Sequence, residues 1–201
     1  MEAFTDGVNM LREHVRPSVR MHYAIMKGGD VPNVVPEYAK VWMWVRDSKR
    51  SGVEEVFARV KEIAKGAAMI AGVESKVTVQ TGDYEILVNR KGAEALQKNL
   101  EILGPINYTS EEIAFAKKIQ EVQGGEQVGL NGKISPLKET QEHPTGGSTD
   151  VGDISWIVPE ITLIATTAPP NTAWHGWSVV ACGGMSIGHK GMLFAAKALA
   201  M

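Results

Sequence analysis

With 201 residues, 44% of them hydrophobic and 22% charged, the chain has an ordinary globular composition and room for one good core or two small ones. A formal net charge of −2 leaves no electrostatic footprint for nucleic acid or an anionic membrane surface. No apolar run approaches the ~18 residues of a membrane span, and the amino terminus lacks the basic and apolar regions of a signal peptide. Cys182 is the single cysteine, which excludes an internal disulfide. A soluble, cytoplasmic protein is expected.

In chain order, Phe4, Val8, Leu11 and Val15 recur at helical spacing from Glu2 to Val15, and Pro17 ends that helix. Val19 to Met26 alternates as a strand carrying His22, Gly28-Gly29-Asp30 is a turn, and Tyr38 to Val45 is a second strand. Trp42 and Trp44 share one face of that strand, a spacing that suits a core or an interface better than a ligand cage. Ser51 is placed to cap a helix from Gly52 to Ala71 whose inner face carries Val53, Val56, Phe57, Val60, Ile63 and Ala64. Lys76 to Gln80 and Tyr84 to Val88 have strand character. The resulting order α-β-β-α-β is a βαββαβ, ferredoxin-like unit lacking its first strand, which in the usual strand order is central.

Two helices follow, Lys91 to Leu103 and Ser110 to Gln123. Thr109-Ser110-Glu111-Glu112 is a start signal for the second, and Gly124-Gly125 stops it. Residues 124–147 form a polar connection longer than a compact domain usually tolerates without a function. The run VPEITLIATT predicts a buried strand, and Ile187 to Ala200 predicts a small-residue-rich helix packed on a sheet.

The stretch from Gly146 to His175 concentrates the chemistry. In GGSTDVGDISW, glycine lets the main chain approach a ligand, so Gly147, Ser148, Thr149 and Asp150 beside Trp156 form a candidate cradle for a carboxylate or an amide. The following apolar run would deliver His175 to the loop beyond its end, and neutral imidazole is a common metal ligand. On spacing alone, a turn with a structural histidine is the favoured reading. Asp150 and Asp153 suit metal binding and backbone capping about equally. His22 fits a packed or edge-strand residue as readily as a substrate contact, while His14, His143 and His189 suit helix-end, connection and surface roles.

GGDVPNVVPEYAKVWMWVRD, from Gly28 to Asp47, resembles the Gly-Gly-x-x-Pro-Asn-Val-Val-Pro…Arg signature of the dinuclear-metal aminoacylase and carboxypeptidase family. GGSTDVGDISW, His175-Gly176-Trp177 and SIGHKGM resemble the branch of that family that cleaves aminobenzoyl-glutamate. The resemblance runs through essentially the whole chain in family order. It implies an α/β metal-binding domain interrupted by a βαββαβ lid that dimerises. Residues 1–89 would be that lid without its first strand, and residues 90–201 the carboxy-terminal part of the catalytic domain.

The resemblance also implies a divalent metal, zinc or manganese, with His175 as the last of its ligands. Asn33 and Arg46 would reach the substrate from the lid, Arg46 through a bidentate fork on a carboxylate. Without the family, Asn33 is a turn residue and Arg46 a strand-end cation. The family's His-x-Asp pair, bridging Asp, Glu-Glu pair and lid histidine have no counterpart here, since Glu54-Glu55 and Glu111-Glu112 fall on helical faces expected to be exposed. The general base is therefore missing as well, and one histidine does not hold a catalytic metal firmly. The expectation is the back half of an amidohydrolase acting on N-acyl or aroyl amino acids. It would be inactive alone, homodimeric through the lid, and completed by a front-half polypeptide or a longer natural chain. The alternative is a non-catalytic dimerisation or ligand-binding remnant.

Overall fold

The structure is a computed structural model that describes residues 1–141 and 147–201; His143 and Gly146, singled out above, lie outside the described residues. The chain divides into two compact units, Met1–Leu87 with Thr140–Val158, and Val88–Glu139 with Pro159–Met201.

In the first unit, α1 (Glu2–Leu11) runs into a short 3-10 turn (Arg12–His14), followed by β1 (Arg20–Lys27), β2 (Lys40–Arg46) and α2 (Arg50–Ala71). The two strands pair antiparallel, with Arg20 opposite Arg46, His22 opposite Trp44 and Ala24 opposite Trp42; the ladder is irregular between Ile25 and Lys27. Because side chains alternate across a strand, one face of the hairpin carries Met21, Tyr23, Met43 and Val45. These pack with Val8 and Leu11 of α1 and Val56 and Val60 of α2 into a single core. The helical face expected of α2 is the buried one.

Ser51 does not cap α2: Lys49 holds the cap position without a side-chain bond, and Ser51 lies in the first turn. The helix ends at Gly72, whose φ of +64° is the left-handed conformation that glycine adopts without a Cβ penalty. Among the described residues the sheet has two strands, so the fold is mixed helix and strand. The expected strands at 76–80 and 84–88 do not join a ladder. Strand character in a sequence becomes a strand only when a neighbour supplies the other half of the hydrogen bonds, and the backbone of 84–87 finds other partners, described below.

The second unit is helical: α3 (Arg90–Leu103), α4 (Ser110–Val122), α6 (Trp177–Gly183) and α7 (Ser186–Ala200), the short α5 (Val151–Ser155) belonging to the first unit. Asn89 caps α3 by accepting a hydrogen bond from the Gly92 N–H at 3.0 Å. Thr109 and Glu112 form the expected capping box on α4, each side chain accepting from the other's backbone N–H. Ile119, Cys182 and Ile187 make the buried centre.

Two expectations fail in this unit. The run 158–167 is not a buried strand: it has no ladder partner among the described residues, and Ile164 is 88% exposed. Accordingly α7 packs on α3 and α6 rather than on a sheet. Glu112 is not on an exposed face but buried at 5% exposure, because Lys190 of α7 meets its carboxylate. No single helix among the described residues is long and apolar enough to cross a membrane; α6 and α7 reach that length only as a pair bent by 73°.

Candidate functional site

The outer face of the β1–β2 hairpin brings together four of the singled-out residues, His22, Trp42, Trp44 and Arg46. Arg20, His22 and Ala24 of β1 project there beside Trp42, Trp44 and Arg46 of β2, since directly paired residues share a face. The tryptophan rings meet edge to face with centroids 5.7 Å apart. The Arg46 guanidinium stacks 4.6 Å above the Trp44 ring, a cation–π contact that fixes the planar fork while leaving its donors free to face solvent. Trp42 and Trp44 remain 46% and 48% exposed. Arg46 has no ion pair among the described residues, whereas nearby Arg16 bridges Asp47 at 3.1 Å and Glu55 at 2.9 Å.

Burial pushes the Asp47 carboxyl up, but hydrogen bonds from the Ser18 side chain, the Ser48 N–H and Arg16 outweigh it and hold Asp47 below the usual carboxylate range. Asp47 is thus the spoken-for anion at the foot of the hairpin, and Arg46 beside it is the uncommitted cation. Asn33 lies in the exposed connection 28–39 at the other end of the hairpin. No hydrogen bond joins it to Arg46 among the described residues.

The second stretch, 147–156, is built differently from the cradle expected of it. Gly147, Ser148, Thr149 and Asp150 are exposed and lead into α5. Asp150 occupies the cap position of that helix without accepting a capping bond, and the Thr149 hydroxyl donates to its carboxylate at 3.4 Å. The residues just beyond take hold of the segment 84–87. Asp153 accepts the Tyr84 N–H at 2.8 Å, Ser155 accepts the Leu87 N–H at 2.8 Å, and the Trp156 indole N–H donates to the Glu85 carbonyl at 2.8 Å. Side chains thereby satisfy backbone groups that a ladder would otherwise pair. Gly152 makes the approach feasible: a Cβ there would run into the Tyr84 carbonyl. The motif GDISW is a backbone clamp. Asp153, Ser155 and Trp156 are the residues that sequence reasoning missed in this role, and their spacing on a one-turn helix was the available signal.

In the second unit, His175 is exposed and sits in the loop before α6 with φ +68°. A histidine in the left-handed region is uncommon, and such residues gather where function imposes a conformation. Gln120 of α4 and Gln123 just beyond it hold the chain on either side of His175. The Gln120 amide donates to the Pro170 carbonyl at 3.3 Å while its oxygen accepts the Gly129 N–H at 2.8 Å, and the Gln123 amide donates to the Ser178 hydroxyl at 3.0 Å. Gln120 is buried, so its bonds are made away from competing water. The imidazole of His175 makes no hydrogen bond among the described residues, although a metal-binding histidine normally has a partner on its other nitrogen.

No three His, Cys, Asp or Glu side chains converge among the described residues in a way that would hold a metal ion. The residues present therefore do not by themselves fit a dinuclear centre, and His175 is one ligand-type side chain in want of company.

No family model matches the chain. It is 33% identical over 225 aligned residues to one subunit of the p-aminobenzoyl-glutamate hydrolase of Escherichia coli (strain K12), a match covering 98% of this chain and 46% of that protein. It is 25% identical over 160 residues to Xaa-Arg dipeptidase of Mus musculus and 24% identical over 157 residues to that of Homo sapiens, covering 79% and 78% of this chain and 30% of each dipeptidase. The chain thus spans about half the length of the first relative and less of the other two.

Proposed function

We propose that the chain belongs to the dinuclear-metal aminoacylase and carboxypeptidase family, and that it supplies the substrate-binding lid and a carboxy-terminal part of an amidohydrolase cleaving N-acyl or aroyl amino acids of the aminobenzoyl-glutamate type. The observation that carries the reading is Arg46: a guanidinium without a carboxylate partner, oriented by an aromatic ring on an exposed sheet face, within a sequence alike along 98% of its length to a hydrolase of that kind.

In this reading Arg46 grips the substrate carboxylate through its fork, and Trp44 holds the fork in place against rotation. His175 presents its imidazole from a loop whose conformation Gln120 and Gln123 maintain. A divalent metal, zinc or manganese, would activate water and polarise the amide carbonyl. The described residues offer that metal only His175, so no step is routed through it here. The other ligands and the general base would come from a front-half polypeptide, in keeping with a relative that is itself named as one subunit of a hydrolase. The hairpin and its helices would also mediate association with a second copy.

The test is reconstitution. The purified chain is assayed on p-aminobenzoyl-glutamate with zinc or manganese, alone and after co-expression with a front-half polypeptide carrying the family's remaining ligands. Turnover only in the combined sample, lost with His175→Ala, supports the reading. Metal-dependent turnover by the chain alone refutes its incompleteness, and a combined sample that forms a complex yet stays silent refutes the assignment as an enzyme component.

A further inference from the structure

Arg20 and Arg46 stand directly opposite each other in the β1–β2 ladder and project from the same face. Their Cβ atoms are then roughly 5 Å apart, a spacing at which like charges destabilise a sheet unless something of opposite sign lies between or above them. Neither arginine has an ion pair among the described residues, although carboxylates are close in sequence and Arg16 has taken two of them. Arg20 donates from Nη1 to the carbonyls of Pro17 and Val19, which leaves Nε and Nη2 uncommitted. Next to this pair lie the exposed edges of Trp44 and Trp42. Two cationic forks and an aromatic shelf on one solvent-facing surface are complementary to a small molecule with two carboxylates and a ring.

We propose that Arg20 is a second carboxylate-binding residue beside Arg46, and that it selects amide substrates whose amino-acid part is a dicarboxylate. The inference rests on the assignment of Arg46 as the substrate clamp. Arg46 takes the carboxylate common to every N-acyl amino acid. Arg20, across the ladder, takes the side-chain carboxylate, and the acyl ring lies against Trp44 and Trp42. Substrates ending in a neutral side chain leave Arg20 facing Arg46 without an intervening anion, and the discrimination comes from that unrelieved repulsion as much as from the missing contact.

The experiment is equilibrium binding to the full chain of two ligands of matched shape, N-benzoyl-glutamate and N-benzoyl-norvaline, which differ by the side-chain carboxylate. The wild-type chain is expected to bind the glutamate ligand about tenfold more tightly, the size of one exposed charge-assisted contact. Arg20→Gln should erase that preference while leaving norvaline binding unchanged, and Arg20→Lys should restore part of it. Arg46→Gln should weaken both ligands together. A purely structural role for Arg20 would reduce binding of both ligands in parallel with a lowered melting temperature, and that result overturns the proposal. So does a wild-type chain that shows no preference, or that binds neither ligand because a second copy or another polypeptide covers the face. If Arg46→Gln changes neither affinity while Arg20→Gln still erases the preference, the clamp assignment of Arg46 fails and the selectivity of Arg20 stands.

Discussion

The ammonium of Lys190 lies 2.6 Å from a carboxylate oxygen of Glu112, joining α7 to the capping box of α4 across seventy-eight residues of sequence. Burial pushes the Glu112 carboxyl up, yet hydrogen bonds from Lys190, the Ser186 side chain and the Thr109 N–H more than offset it and bring its pKa down to about 2. A carboxylate whose folded pKa is depressed stabilises the native state above its unfolded value of 4.5, and loses that contribution as pH falls from there toward 2. Glu112→Gln keeps the capping geometry and removes the charge. It should cost about 2 kcal/mol at pH 7, an amount moderated because a third of Lys190 is open to water. Urea unfolding at pH 7 and near pH 3 checks this. The gap between wild type and variant should shrink at the acidic value, and an equal gap at both would show that the charge is not what matters.

Gly152 is required by the clamp, not by ligand access. A Cβ added there meets backbone, the carbonyl of Tyr84, which cannot swing aside as a flexible side chain would. Gly152→Ala should therefore destabilise by about 1–3 kcal/mol as an overpacked contact. Amide exchange at Tyr84 and Leu87 should accelerate, because Asp153 and Ser155 would be levered away from their N–H groups. Exchange at Val60, in the core of α2, is the internal control. If the Tyr84 and Leu87 amides stay as protected as in wild type, 151–156 is not what holds them.

Apolar surface is left uncovered in both units: Val77, Val79, Ile86 and Val88 in the segment without a ladder, and Ile161 and Ile164 in the second apolar run. Extended backbone without a ladder partner among the described residues, at 76–80 and 159–165, is a template for association. The purified chain is expected to run as a dimer or larger species in light scattering, and Ile164→Lys should shift it toward monomer. A monodisperse wild-type monomer at tens of micromolar (roughly, where exposed edges associate) would count against this.

What the sequence made legible was what local periodicity controls. The inner face of α2 and the Thr109–Glu112 box follow from residues within one or two turns of each other, and both form as expected. The burial of Glu112 was hidden because its partner Lys190 is distant in sequence. The failed strand at 158–167 shows the other limit. A run of β-branched residues states a preference, but the ladder needs a neighbour that the run cannot specify. GGSTDVGDISW misled for a related reason, since hydroxyls, an acid and glycines suit a ligand cradle and a backbone clamp equally until the position of Tyr84 is known. At the hairpin, alternation alone placed Trp42 and Trp44 on one face, whereas Arg20 gained meaning only from its register with Arg46.

That leaves His175, where conformation and chemistry can be separated. At φ +68° a non-glycine side chain sits in the left-handed region, which favours glycine over alanine by about 1 kcal/mol. His175→Gly should consequently melt above both His175→Ala and the wild type, which share the Cβ that this conformation disfavours. Strain does not bind metal, however, and both variants lack the imidazole. On the proposed reading, in a sample reconstituted with a front-half polypeptide, both should lose metal occupancy and turnover to the same extent, because the geometry of an activated water depends on every ligand. Thermal melts of the chain, metal content and kinetics of the reconstituted enzyme together decide the matter. If activity instead follows stability, with glycine retaining what alanine loses, then the loop's backbone conformation is the functional feature and the imidazole is not a ligand.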